Sequence, residues 1–432
     1  MKFKNHKFII LLLLFSLPLL AKIQLIKQEN NDSNTTLLVI GGIHGNEPGA
    51  YFAASILASH YQVTSKNLWI VPNLNKASIM ANRRGIHGDM NRKFSSIKNN
   101  DKDAKIIQEI KKVILSPQVS LILNLHDGHG FYRKKYQGSI FNPTAWGQTC
   151  VIDQCKLKEE QEFGNLNNIA STVKTNINKK LIEKHHGFNV KNTKTKYDDE
   201  AMQLSLTYFA VTNNKPAFAI ETSKNLSSLS QKVFYQLLAI EEFMKIMNIP
   251  FTRDFNFSQN NIHTILQNYG TLRINDNLFI NFSNIKKYLS FIPLKSSHNI
   301  FKFSNVLGDF RKVRGNYEVY VGNKKLTTLK PQYFKMSNCC QNYFDAVVDG
   351  KRVSLAKASS FSVKTDFKIL KDKHIRVNII GYHSKNVTNE SGITISKKDL
   401  NKKFSVDKQN KIYRVEFYRN NKFCSMSTVK FK

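Results

Sequence analysis

Hydrophobic periodicity changes character near Ile249-Pro250, and that change limits what this 432-residue chain can fold into. Before it, from about Lys22 to Asn248, short aliphatic runs alternate with longer helical patterns. Leu37–Ile40, Leu68–Val71, Leu121–Leu125 and Ala217–Ile220 read as strands. Pro48–His60, Asp103–Leu115, a segment within Leu166–His185 and Leu226–Met247 read as helices. Such alternation marks an α/β domain, a central mixed sheet flanked by helices. Beyond residue 250 the helical patterns fade and short alternating strands run into hairpin signals. Tyr317–Val321 precedes Gly322-Asn323, Phe344–Val348 precedes Asp349-Gly350, and Ile412–Tyr418 precedes Asn420-Asn421. The expected architecture is an α/β domain over 22–249, then two small all-β domains over 250–340 and 341–432, the last one sandwich-like.

Residues 1–21 stand apart from this pattern. Lys2, Lys4 and Lys7 give a basic start, Phe8–Leu20 is apolar, and Leu19-Leu20-Ala21 offers a small residue for cleavage. That is the form of a secretory signal peptide, and the run is short for a membrane span. The mature chain is expected to begin near Lys22, without a transmembrane segment, in the periplasm. Lys and Arg number 65 against 31 Asp and Glu, a net charge of +34. Such a field draws polyanions; for an exported chain these are an anionic envelope polymer, a phospholipid surface or a carboxylate-rich substrate, and no nucleic acid. Five cysteines cannot all pair within the chain. Cys150 with Cys155, and one of the adjacent Cys339 and Cys340 with Cys424, are the candidate disulfides.

Three apolar strands end in residues that carry chemistry. The first runs into Gly41-Gly42-Ile43-His44-Gly45-Asn46-Glu47-Pro48, which places an imidazole and a carboxylate in a glycine turn before a helix. One histidine and one glutamate so placed are half of a zinc site, although polar groups there could equally cap the helix. The second runs into His126-Asp127-Gly128-His129. Ligands gather at the carboxyl ends of strands in open α/β sheets, so His126 could complete a set of two imidazoles and a carboxylate that leaves a position for water. His129 competes with it, and Asp127 or His129 could serve as supporting partners. The third ends in Glu221, which beside activated water could accept a proton and return it to a leaving amine. A fourth segment, Asn75–Phe94, is rich in arginine and asparagine, and guanidinium can grip a carboxylate through two parallel hydrogen bonds.

Together the four segments resemble the zinc carboxypeptidase (carboxypeptidase A-like) family over roughly the first 250 residues. The resemblance implies one zinc per chain, held by His44, Glu47 and His126, with Glu221 as general base and then acid. It implies that Arg84, in preference to Arg83, polarises the scissile carbonyl. It also implies that Asn91 and Arg92 hold the substrate's terminal carboxylate. Trp146, Gln148 and Thr207 lie between the metal and base segments and are candidate substrate contacts. The whole plan is similar to the peptidoglycan DL-carboxypeptidases of curved and helical Gram-negative cells, which trim stem tripeptides to dipeptides by releasing meso-diaminopimelate. The expected partners are therefore peptidoglycan stem peptides. The alternatives are a deacylase or amidase on the same scaffold, or a non-catalytic wall-binding protein.

Overall fold

The computed structural model describes residues 23–30, 33–338 and 340–432; the expected signal peptide lies outside them. Seven strands form the N-terminal sheet in the order Ile26–Gln28, Asn67–Val71, Thr36–Ile40, Val119–Gly128, Ala217–Ser223, Thr149–Ile152, Asn189–Asn192. The four from Asn67–Val71 to Ala217–Ser223 are parallel to one another, and antiparallel joins flank them. Leu37–Ile40 and Leu121–Leu123 are fully buried, with both sheet faces covered. That is why these strands read as continuous aliphatic runs rather than as alternation.

Chain direction in this sheet fixes where ligands can gather. From Thr36–Ile40 the chain crosses through helix Pro48–His60 to Asn67–Val71 on one side. It then returns through helix Ala104–Ile114 to Val119–Gly128 on the other side. Right-handed crossovers in opposite directions put these two helices on opposite faces. A crevice opens where the direction reverses, between the carboxyl ends of Thr36–Ile40 and Val119–Gly128. Helix Leu229–Ile246 packs on Pro48–His60. Its first turn is capped by the Ser228 side chain, which accepts from the Gln231 amide. Gly45 lets the loop after Thr36–Ile40 close on helix Lys76–Ala81, since a Cβ there would lie 2.0 Å from the Ser78 carbonyl oxygen.

The region beyond is all β from Thr271 onward, after a helix, Gln259–Gln267, that the sequence pattern did not suggest. The three expected hairpins form, with Asn316–Val321 paired to Lys324–Tyr333, Tyr343–Val348 to Lys351–Ala356, and Ile412–Arg419 to Lys422–Phe431. Residue 340 is not a break in hydrogen bonding. Leu278 in the strand Leu278–Asn281 pairs with Met426 of the final strand, so one sheet contains both the start and the end of the β region. The final strand is a seam between two cores: Phe423 and Met426 join the larger one, and Cys424, Val429 and Phe431 the smaller. Cys340 and Cys424 are disulfide-bonded across 84 residues. The other candidate pair does not form, because Cys150 points into the core and Cys155 is exposed. Among the described residues no helix is long and apolar enough to cross a membrane.

Two outcomes test this packing. Gly45→Ala must displace backbone and is expected to cost more than about 3 kcal/mol, read as a large fall in Tm or loss of folded protein. Replacing Cys340 and Cys424 together by serine frees a long loop in the unfolded chain and is expected to cost roughly 2–4 kcal/mol. Chemical denaturation would show that loss as a lower midpoint, and an unchanged midpoint would contradict the role given to the bond.

Candidate active site

Nine of the residues singled out as ligands, catalytic groups or substrate contacts line one cleft at the reversal point: His44, Glu47, Arg84, Asn91, Arg92, His126, Trp146, Thr207 and Glu221. His44, Glu47 and His126 are buried, and their donor atoms lie within 4.8 Å of one another. His44 Nδ1 is 3.0 Å from one Glu47 oxygen and His126 Nδ1 is 2.9 Å from the other. Glu47 occupies the N-cap position of helix Pro48–His60, yet its side chain makes no capping bond. The helix-capping reading of this loop is thereby set aside.

Strand register aligns the fourth group. His126 and Glu221 are direct partners on adjacent parallel strands, so both side chains project from the same face at the same height. Both strands continue two residues past these positions, to Gly128 and Ser223, so neither residue is terminal as the sequence suggested. The next pair faces the opposite way. Asp127 accepts from the Thr222 hydroxyl at 2.6 Å and from the Gly49 amide at 2.8 Å. Asp127 therefore braces the sheet, and its backbone amide donates to Glu47 at 3.2 Å. His129 is exposed and outside the cluster.

The supporting partners are other residues. His44 Nε2 meets Asp89 at 2.8 Å, and His126 Nε2 meets the Asn124 side-chain amide at 2.8 Å. As oriented, Asn124 presents nitrogen to His126 and leaves its buried oxygen without a partner. Rotating the amide exchanges the two atoms. Asn124 Oδ1 then accepts from His126 Nε2–H, the arrangement that an imidazole ligating through Nδ1 requires. The donor set and this orphaned oxygen both fit a metal ion. No sequence motif marks Asn124.

Electrostatics centre on the Glu47 carboxylate. Burial disfavours its charge, but His44 and His126 hold it well below the ordinary carboxylate range. Burial pulls the His44 imidazole down, while Glu47 and the bonds from Asp89 and Glu47 outweigh that and raise it to about 9. His126 is lowered, chiefly by burial. Arg84 binds Asp89 at 2.8 Å and reaches Glu47 at 3.3 Å, and Lys224 lies 3.6 Å from Glu47. Burial, and then the Glu47 charge, push Glu221 up to about 8.

The cleft's far wall comes from the turn Met90–Arg92 and helix Leu206–Thr212. Asp89 caps that turn by accepting from the Asn91 amide, and the Asn91 side-chain oxygen accepts from the Leu206 amide at 2.9 Å. This bond joins Asn91 to the segment carrying Thr207. Trp146 is half-buried under the Lys191 ammonium, 4.2 Å from its ring. Arg83 is exposed and does not line the cleft, whereas Arg84 does. Gln148, the remaining candidate contact, is fully buried behind the wall. Its side chain donates to the His186 carbonyl and accepts from the Ser223 amide, so both of its polar ends are taken.

Comparison with known proteins agrees with this geometry. Residues 5–267 match the family model described as the catalytic region of a carboxypeptidase controlling helical cell shape. Residues 337–432 match the C-terminal domain of metallo-carboxypeptidase. A search of curated protein sequences finds no match. Among solved structures, the apo cell shape determinant Csd4 from Helicobacter pylori is 35% identical, with a TM-score of 0.88, over 95% of this chain and 100% of that one. The tripeptide-bound form of Csd4 has a TM-score of 0.87 at 35% identity, with the same coverage. The mDAP-bound form, described as a D,L-carboxypeptidase, has a TM-score of 0.88 at 35% identity, again over 95% and 100% of the two chains. With matches over both the α/β domain and the end of the β region, the chain belongs to the metallo-carboxypeptidases that control helical cell shape.

Proposed function

We propose that the protein is a periplasmic, zinc-dependent peptidoglycan DL-carboxypeptidase that trims stem tripeptides to dipeptides by releasing meso-diaminopimelate, and so influences cell shape. The observation that carries this reading is the convergence of two Nδ1 atoms on Glu47 with Glu221 held alongside by register. The likeness to an mDAP-bound D,L-carboxypeptidase over nearly the whole chain supports the choice of substrate.

His44, Glu47 and His126 would hold the zinc, one ion in the cleft. Bound there, zinc supplies the Lewis acidity that makes water nucleophilic near neutral pH and favours negative charge on a polarised carbonyl oxygen. Its charge also opposes the upward push on Glu221, leaving that carboxylate ionised to act as a base. Glu221 takes a proton from the attacking water and delivers it to the amine leaving from the amide between D-glutamate and diaminopimelate. Arg84, about half exposed, is free to turn from Asp89 toward the carbonyl oxygen and stabilise its developing charge. Asn91 and Arg92 bind the terminal carboxylate, and Thr207 and Trp146 shape the pocket around the departing residue. Diaminopimelate carries two carboxylates, which suits a cleft lined by Lys224.

The assignment to the periplasm draws on residues 1–21 and on the Cys340–Cys424 disulfide, which persists in oxidising compartments. A division into an α/β domain over 22–249 and two β domains over 250–340 and 341–432 is part of this reading, and separate family matches over 5–267 and 337–432 support it in outline.

Incubation with a defined muropeptide tripeptide is expected to yield the dipeptide and free diaminopimelate, and a chelator should stop this. Release of a larger fragment would point to an amidase or endopeptidase instead. Glu221→Ala is expected to keep metal and lose at least about 100-fold in kcat, whereas His44→Ala should lose both metal and turnover. Metal analysis beside steady-state kinetics separates the two, and normal hydrolysis by the Glu221 variant would sink the assignment.

A further inference from the structure

Behind the cleft wall a second group of metal-binding side chains comes together, at Glu183, His185 and His186. Adjacent histidines rarely converge, but the turn Lys184–His186 is a 3₁₀ helix with Glu183 at its N-cap. Residues three apart eclipse in such a turn, which stacks Glu183 over His186. His185 Nδ1 lies 3.3 Å from one Glu183 oxygen, and His186 Nε2 lies 3.9 Å from the other. The two rings are 4.3 Å apart.

The buried member of the group is held in place. His186 Nδ1 meets the Tyr235 hydroxyl at 3.0 Å, and that oxygen accepts from the Ile182 amide at 2.8 Å. Phe131 stacks on the His186 ring at an interplanar angle of 3°. With one nitrogen tied and the ring clamped, Nε2 is the atom left to coordinate, and it faces Glu183. A partner on the other ring nitrogen is what ligating imidazoles characteristically have. Glu183 and His185 are half exposed, so small rotations bring all three donors to the separation of roughly 3.4 Å that tetrahedral bonds of about 2.1 Å demand.

We propose that this turn binds a second divalent cation, of the class that favours imidazole and carboxylate together (Zn²⁺, Ni²⁺ or Cu²⁺ rather than Mg²⁺ or Ca²⁺). The site is separate from the cleft and does not rest on the reading of its substrate. Its place in the fold gives the cation something to hold. Arg133 binds the His185 and Gly187 carbonyls, and Gln148 links the His186 carbonyl to the amide of Ser223, on the strand that carries Glu221. Occupancy pins the turn at one end of this chain of bonds, and exposed Lys184 provides a reporter.

The test is zinc titration of the untagged mature protein by equilibrium dialysis and metal analysis, with limited trypsin cleavage at Lys184 followed in parallel. Wild type is expected to take up two equivalents, and saturation should slow cleavage at Lys184. The double variant Glu183→Gln, His185→Ala is expected to take up one equivalent, and added zinc should no longer slow its cleavage. His44→Ala, which loses the cleft ion, should still take up one and still show protection. A single equivalent in wild type, or two in the double variant, overturns the proposal. Both altered side chains are half exposed, so the variant keeps the fold on which the comparison depends.

Discussion

The pairing of Val119–Gly128 with Ala217–Ser223 is the constraint on which the site depends. Because successive side chains on a strand point to opposite faces, a slip of one residue would turn Glu221 away from the cleft. The register is held on the other face. Thr222 binds Asp127, and Gln236, reaching from helix Leu229–Ile246, donates to the carbonyls of both His126 and Ile220. Groups that touch no ligand thus decide where His126 and Glu221 stand.

Charge balance is the second requirement. Glu47 is a carboxylate removed from water, and a buried charge is tolerated only with partners and hydrogen bonds. It has both imidazoles, the Asp127 amide and the Arg84 guanidinium. Asp89 returns negative charge behind His44 and accepts from the Arg84 guanidinium. One loop therefore couples the candidate metal ligands to the arginine proposed to act on substrate. The overall basic composition adds a longer-range field, but the site's chemistry depends on these short contacts.

Much of the plan was legible in the sequence because the relevant signals are local. The buried parallel strands are continuous aliphatic runs, Pro48 and the caps mark helix starts, and paired Gly and Asn residues mark hairpins. The candidate ligands His44, Glu47 and His126, with Glu221 and Arg84, could be singled out because each lies near the carboxyl end of a strand or sits at a spacing that the resemblance made meaningful. What escaped was nonlocal. Asn124 looks like an ordinary strand residue until His126 stands above it two positions on. Gln148 seemed equivalent to Trp146, yet backbone direction sends one into the wall and the other to the cleft. The pairing of Leu278 with Met426 of the last strand crosses 148 residues, and no periodicity reports it. The His185-His186 turn was hidden because adjacent histidines face one another only in a tight turn.

The most direct measurement is a crystal structure of Glu221→Ala with a diaminopimelate-terminated tripeptide and anomalous data at the zinc edge. The expected result is one strong anomalous peak bonded to His44 Nδ1, His126 Nδ1 and Glu47. With it, the peptide's terminal carboxylate should lie on Asn91 and Arg92, and its scissile carbonyl should face Arg84. A strong peak elsewhere with the cleft ligands bare, or a peptide lying with its terminal carboxylate away from Arg92, would contradict the account.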